Sequence, residues 1–261
     1  MKNKINNIKL FLNLLFSIII AWAISLQFNP IKNTDWNYLF NTGYSLLFLF
    51  GGFIGIYSIY KFKIIGIPKN TLLHLGLALL SYGIGLNVWT YYIYKYQLEV
   101  PYPALPDLFF ALFYPLSMLS VFSFLKLFSF LIKEETVKNL LKITTVISII
   151  MIFILGTEIS LEVTFWENFF NFYYPISSAF ILSASILLIK LSGGESTKSA
   201  IWLSLGLATH GIAAFFFTIR SSSGTYWNGD FVDILFAISA FLMSLAGINI
   251  IKSLIPEESK K

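Results

Sequence analysis

The sequence YLFNTGYSLLFLFGGFIGIYSIY, from Tyr38 to Tyr60, contains no charged residue. An α-helix needs about 20 apolar residues to cross the hydrocarbon core of a bilayer, so this run predicts a transmembrane helix. Seven more long apolar runs flank it, and the eight together cover residues 9–29, 38–60, 70–94, 105–131, 138–158, 168–190, 198–220 and 231–254. Only short connections separate them. The sequence therefore predicts an all-α, polytopic membrane protein with eight transmembrane helices and no soluble domain.

The amino-acid composition supports the same class. Hydrophobic residues make up 57% of the 261 residues and charged residues only 12%, which is more apolar surface than a soluble domain of this size can bury. A membrane β-barrel would show shorter segments of alternating polarity instead. The chain has no cysteine, so disulfides and thiolate metal sites are excluded. No motif identifies a cofactor.

The basic residues predict the orientation in the cell membrane. If the N-terminus is cytoplasmic, fifteen of the 18 basic residues lie on inner segments, and only Lys32, Lys95 and Arg220 lie outside. This asymmetry follows the positive-inside rule, so both termini are expected in the cytoplasm. The basic surplus then faces anionic lipid, and no nucleic-acid partner is expected.

Three short stretches of sequence occur twice in the same order. WNYLFN at 36–41 returns as WENFFN at 166–171, SYGIG at 81–85 as THGIA at 209–213, and DLFFA at 107–111 as DILFA at 233–237. An ordered series of matches predicts an internal duplication, with four-helix repeats at 1–131 and 132–261. Four crossings return the chain to its starting side, so the repeats are parallel. The first run belongs to the first repeat, which would lack a helix if that run were a signal peptide.

Two aspartates are expected to begin the fourth and eighth helices at their outer ends. The prolines of PYPALPD, at 101–107, stiffen the preceding loop and place Asp107 in a first helical turn, where the helix dipole favours a carboxylate. NGDFVD, at 228–233, resembles a capping box with Asp230 at the cap and Asp233 three residues later. Capping is the structural alternative to a ligand-binding role. Arg220 is expected to pair with Asp107 or Asp233, because an unpaired charge in the membrane is costly.

Proline residues interrupt two of the predicted helices. Pro115 and Pro175 each remove a backbone N–H, and the freed carbonyl groups need other donors inside a bilayer. The nearby side chains expected to supply them are those of Asn41, Tyr114, Asn171 and Tyr174.

His210 is the ionisable residue predicted nearest to the middle of a transmembrane helix. Its counterpart in the first repeat is Tyr82, and a glycine follows each of them, which permits close helix approach. A buried histidine bonded to a neighbouring hydroxyl is the structural alternative. The functional hypothesis is a polar contact, or a pH-responsive element, at the floor of an outer cavity.

An outward-facing cavity between the two repeats is the predicted functional site. Aromatic and acidic residues gather at the outer side, although an interfacial aromatic belt also accounts for each ring singly. The candidate lining residues are Asn41, Tyr44, Tyr82, Trp89, Tyr92, Asp107, Tyr114, Trp166, Tyr174, His210, Arg220 and Asp233.

One segment resembles a known family. PALPDLFFALFYPL, at 103–116, resembles the Pro-x-x-x-Asp…Tyr-Pro signature of the multi-helix N-terminal membrane modules of bacterial and archaeal diguanylate cyclases and histidine kinases, and GDFVDILF, at 229–236, resembles a second signature. The resemblance implies a membrane sensory module. Residues 256–261, after the eighth run, hold no output domain, so a separate signalling protein or a homo-oligomer is the implied partner.

Two other functions remain open alternatives. One is a transporter or channel for a small solute, although parallel repeats are less typical of alternating access than inverted ones. The other is a membrane enzyme that uses Asp107 and Asp233 on lipid, although carboxylates at helix N-termini are common and no nucleotide, zinc-protease or serine-hydrolase motif occurs. A sensory module that binds a small or lipophilic ligand is favoured over both.

Overall fold

A computed structural model describes residues 2–96, 100–127, 134–155, 162–191 and 197–255, and within them eight helices are long and apolar enough to cross a membrane. The all-α, multi-pass membrane class is thereby confirmed. The helices are α1 Lys2–Phe28, α2 Asp35–Lys61, α3 Gly66–Tyr96, α4 Leu105–Leu125, α5 Glu134–Leu155, α6 Phe165–Leu191, α7 Thr197–Ser222 and α8 Phe231–Ser253. The predicted repeat boundary at 131/132 and the tail 256–261 lie outside the described residues.

Several helices are longer than their apolar runs. α1 begins at Lys2 rather than at residue 9, and α3 extends from Gly66 to Tyr96 instead of covering 70–94. Hydropathy marks where the chain meets hydrocarbon, whereas a helix continues as long as its backbone bonds are made. Long lysine side chains near a helix end reach the interface and allow this extension.

Six of the helices form a closed ring. Each of α2, α3, α4, α6, α7 and α8 packs against the next in that order, and α8 returns to pack against α2. α1 lies outside the ring against α8 and α2, while α5 lies outside it against α6. The two contacts that close the ring, α2 with α8 and α4 with α6, each join one of the first four helices to one of the last four.

The outward-facing surface of the described helices is apolar. Large side chains such as Ile18, Phe53 and Phe153 point away from the protein and remain more than half exposed. A soluble protein rarely exposes so many, but lipid chains are as apolar as these side chains. The described surface is therefore that of a protein surrounded by hydrocarbon.

The backbone carbonyl group freed by Pro115 accepts a hydrogen bond from a residue other than those predicted. Proline has no N–H for the carbonyl one turn before it, which belongs to Ala111. The Tyr173 hydroxyl of α6 donates to that carbonyl oxygen at 2.8 Å. The need for another donor was predicted correctly, but for Pro115 the predicted residues were wrong, since Tyr114 bonds to Ser178 and Tyr174 to Asp107.

Glycines let α2 and α3 approach until their backbones touch. A Cβ atom on Gly52 would lie 2.7 Å from the Gly76 carbonyl oxygen, and neither backbone can move away easily. A Cβ on Gly55, one turn later, would lie 3.5 Å from the Leu72 carbonyl oxygen, which is ordinary contact distance. Close approach of this kind is a common means of holding membrane helices together.

Gly52→Ala should therefore destabilise the protein, while the same substitution at Gly55 should not. The added methyl at Gly52 forces α2 and α3 apart, and overpacking of this kind costs about 1–3 kcal/mol. Unfolding in mixed detergent micelles, followed by tryptophan fluorescence, measures the difference between the two variants. Equal stabilities for the two alanine variants would show that α2 and α3 are not in backbone contact at Gly52.

Candidate ligand site between the helices

His210 lies at the middle of α7, enclosed by aromatic rings and fully buried. Phe113 of α4 stacks on the imidazole, with ring centres 4.0 Å apart, and Tyr82 of α3 meets its edge at 4.8 Å. We call this group the His210 cage, and its remaining members are Phe236 at 5.1 Å, Tyr114 at 6.0 Å and Phe48 at 6.4 Å. Five of the six ring helices thus contribute to one central layer.

The hydrogen bonds around His210 favour the imidazole tautomer with its proton on Nδ1. Ser239 gives its single hydroxyl hydrogen to the Phe236 carbonyl oxygen at 2.7 Å. In the weak 3.4 Å contact between Ser239 Oγ and His210 Nδ1 the imidazole is then the better donor. A neutral imidazole with its proton on Nδ1 has an acceptor at Nε2, and this atom is buried without a hydrogen-bond partner among the described residues.

A buried carboxylate lies nearer to the predicted outer end, six residues before Ser239 on α8. Asp233 is only 1% exposed and accepts hydrogen bonds from the Gly229 N–H at 2.6 Å, the Tyr226 hydroxyl at 3.1 Å and the Tyr44 hydroxyl at 3.4 Å. We call these four residues the Asp233 cluster. Burial, and then the Asp233 charge, raise the pKa of Tyr226 in the connecting loop well above its usual value, so this phenol remains a donor at physiological pH.

The predicted partner of Arg220 was wrong. Its Nε donates to the Asp230 carboxylate at 2.5 Å, and its Nη2 donates to the Thr225 carbonyl oxygen at 2.8 Å. Neither Asp107 nor Asp233 is its partner. The predicted capping box was wrong as well: Asp230 is the N-cap of α8, but its side chain caps no backbone N–H. The reversal of the chain after α7 brings Asp230 back to Arg220 before α8 begins.

Asp107 forms a second, smaller polar group at the start of α4. Its carboxylate accepts the Ala104 N–H at 2.7 Å and the Tyr174 hydroxyl at 3.1 Å, and it is 4% exposed. Half of the expected capping arrangement is therefore present, because an N3 carboxylate binds the N-cap backbone. The tyrosine comes from α6 and closes the contact between α4 and α6.

Asn41 and Trp89 meet at Asn228, in the loop before α8. Asn41 Nδ2 donates to the Asn228 side-chain oxygen at 2.6 Å, and Trp89 Nε1 contacts the same oxygen at 3.4 Å. The Asn41 side-chain oxygen is buried without a hydrogen-bond partner in the described part of the chain.

The structure brings most of the predicted site residues together, but not all. Trp166 is 59% exposed at the start of α6, and Tyr92 lines a groove on the outer surface of α3. Arg220 lies in the last turn of α7 and bonds to the loop before α8. Sequence reasoning missed the side chains that complete the interior, which are Phe48, Phe113, Ser178, Tyr226, Asn228, Phe236 and Ser239.

The two aspartates occupy separate hydrogen-bond groups. Asp107 and Asp233 have different tyrosine partners, and no hydrogen bond joins their carboxylates within the described residues. No three His, Asp or Glu side chains of the described part lie in a metal-binding arrangement. Comparison with protein-family models, with curated proteins and with solved structures finds no match to this chain.

Proposed function

We propose that this protein is a membrane sensory module that binds a small ligand with a hydrogen-bond donor in the His210 cage. The ligand enters from the predicted outer face and passes the Asp233 cluster. The output is a change in helix packing that a separate signalling protein, or a second copy of the chain, detects. The motifs at 103–116 and 229–236, which resemble those of bacterial and archaeal sensory membrane modules, are consistent with this function.

The observation that carries the proposal is the buried His210 Nε2 atom, which has no hydrogen-bond partner among the described residues. A buried polar atom without a partner costs about 1–3 kcal/mol, and ionisable side chains within a membrane generally serve function. A donor on a ligand removes this cost when it binds. The surrounding rings favour a ligand whose remaining surface is apolar or aromatic.

Two finer features belong to the same proposal: parallel four-helix repeats and cytoplasmic termini. Tyr44 of α2 bonds to Asp233 of α8, and Tyr174 of α6 bonds to Asp107 of α4. These pairs occupy matching positions of the two predicted repeats, and each crosses from one to the other. The cytoplasmic termini rest on the basic residues of the inner segments.

The two repeats contribute differently to the cage. Phe48, Tyr82 and Phe113 come from the first repeat, and the matching positions of the second hold Ser178, His210 and Ser239. The three matched pairs of helices thus give an asymmetric interior: four of the five rings around His210 come from the first repeat, while His210, Ser178 and Ser239 come from the second. This asymmetry favours a single ligand-binding position on the axis of the helix ring. Among the described residues, the rings also leave no continuous passage through the centre of the helix ring, which favours a binding module over an open channel.

His210→Phe should abolish ligand retention while preserving the fold. Phenylalanine keeps an aromatic ring in the cage and removes the unpartnered acceptor, so stability should be equal or higher. Thr209→Ala is the matched control, because the Thr209 hydroxyl donates to Leu205 of its own helix. Native mass spectrometry of protein purified from membranes should show a small-molecule adduct on the wild type and on Thr209→Ala, but not on His210→Phe.

An adduct that persists on His210→Phe would contradict the proposed site. The identified molecule also separates the alternatives when it is offered to reconstituted vesicles. Accumulation inside them would favour a transporter, chemical conversion would favour an enzyme, and binding alone supports a sensor.

A further inference from the structure

A groove of about 560 Å³ runs along the lipid-facing side of α3 and ends beside the start of α4. Its lower part is aliphatic, with Ile84, Val88 and Leu105, and Tyr91 lines the part above. Lys95 lies at the upper end, eleven residues after Ile84, or about 16 Å along the helix at 1.5 Å per residue. The groove is separate from the His210 cage and shares no residue with it.

Lys95 carries a charge that no carboxylate of the described residues neutralises. Its ammonium lies 5.0 Å from the Tyr96 ring centre and 5.9 Å from those of Tyr91 and Tyr92, so aromatic faces hold it in place. In the described residues no carboxylate lies within ion-pair distance of it.

The other two basic side chains predicted on this face are already bonded. Arg220 pairs with Asp230. The Lys32 ammonium donates to the carbonyl oxygens of Leu26 and Gln27 and lies over the Trp227 ring. Lys95 bonds to the Tyr96 side chain, and among the described residues it is the basic group of this face that still has ammonium hydrogens for an external anion.

We propose that this groove binds one anionic phospholipid. An acyl chain lies against Ile84, Val88 and Leu105, and the lipid phosphate accepts hydrogen bonds from Lys95. The length fits, because half of the hydrocarbon core is about 15 Å thick. Tyrosine rings lie at the level of lipid headgroups in other membrane proteins, and a lysine near the membrane surface favours anionic lipid.

The test measures retention of phosphatidylglycerol against phosphatidylcholine by native mass spectrometry of the full chain released from mixed vesicles. Lys95→Gln should lower phosphatidylglycerol retention about fivefold, while Lys63→Gln, which removes the same charge away from the groove, should leave it unchanged. Val88→Trp should also lower retention, because the indole occupies the acyl-chain position without altering charge. Ile84→Trp serves the same purpose if the Val88 variant does not fold.

Three results would overturn the proposal. Retention that is equal in the wild type, Lys95→Gln and the tryptophan variant would show that no such site exists. Equal retention of phosphatidylcholine would show that the anionic headgroup is not recognised. Complete displacement of the lipid by inorganic phosphate would show a phosphate site that does not involve the acyl chain.

Discussion

Asp233→Ala should lower the free energy of unfolding by about 3 kcal/mol or more, since it strands several buried donors that each cost about 1–3 kcal/mol. The carboxylate accepts the Gly229 N–H and the hydroxyls of Tyr226 and Tyr44. Alanine can accept none of these bonds. The loss also weakens the contact between α2 and α8 that closes the helix ring.

Asp35→Ala is the matched control for this experiment. Asp35 also lies in the first turn of a helix, but it is exposed, so its loss removes a helix-dipole interaction of about 0.3–1 kcal/mol and an exposed contact with the Tyr94 hydroxyl. Unfolding of both variants in mixed micelles gives the comparison. If the two losses were equal, the Asp233 cluster would contribute no more than an ordinary helix start.

Phe113→Ala should cost about 3 kcal/mol, the lower end of the range for removing a buried phenylalanine. In a bilayer the hydrophobic contribution to the free energy of unfolding largely cancels, because lipid is as apolar as the protein interior. What remains is the loss of close packing against the His210 ring, 4.0 Å away, and the Tyr82 ring, 5.4 Å away. The interior then holds a void that neighbouring helices fill only partly.

Phe122→Ala, on the same helix, provides the control. Phe122 is 43% exposed, and hydrocarbon chains can occupy the space that its ring leaves. Its removal should therefore change the unfolding free energy little in the same micelle assay. If the Phe113→Ala variant were as stable as the Phe122→Ala variant, the side chains at the centre of the helix ring would not be closely packed.

The class of fold and the position of His210 were predictable from the sequence, because both depend on where polar groups fall in apolar runs. The members of the cage were not. The chain has 27 phenylalanines, and in a membrane both the lipid-facing and the interior side of a helix are apolar. Phe113 and Phe122 therefore look alike in the sequence, although one is buried and the other faces lipid.

The partners of the polar residues were also beyond sequence reasoning. Arg220 was expected to bond to the aspartate of a helix, but the turn after α7 places Asp230 nearer. Pro115 required a donor for the Ala111 carbonyl, and the side of α6 that faces α4 presents Tyr173. In both cases the chemistry of the requirement was correct, and three-dimensional distance selected the residue that meets it.

The helix ring has two contacts between the first four and the last four helices of the chain, and we call these contacts seams. A hydrogen bond between a tyrosine and an aspartate lies at each seam. Tyr44 and Asp233 hold α2 to α8, while Tyr174 and Asp107 hold α6 to α4. Breaking one pair would leave the other in place, so the helix ring would open at the broken contact and hinge about the intact one. α1 packs against both α2 and α8. If these two helices separated, α1 would be displaced outward and would transmit the movement to a neighbouring protein in the membrane.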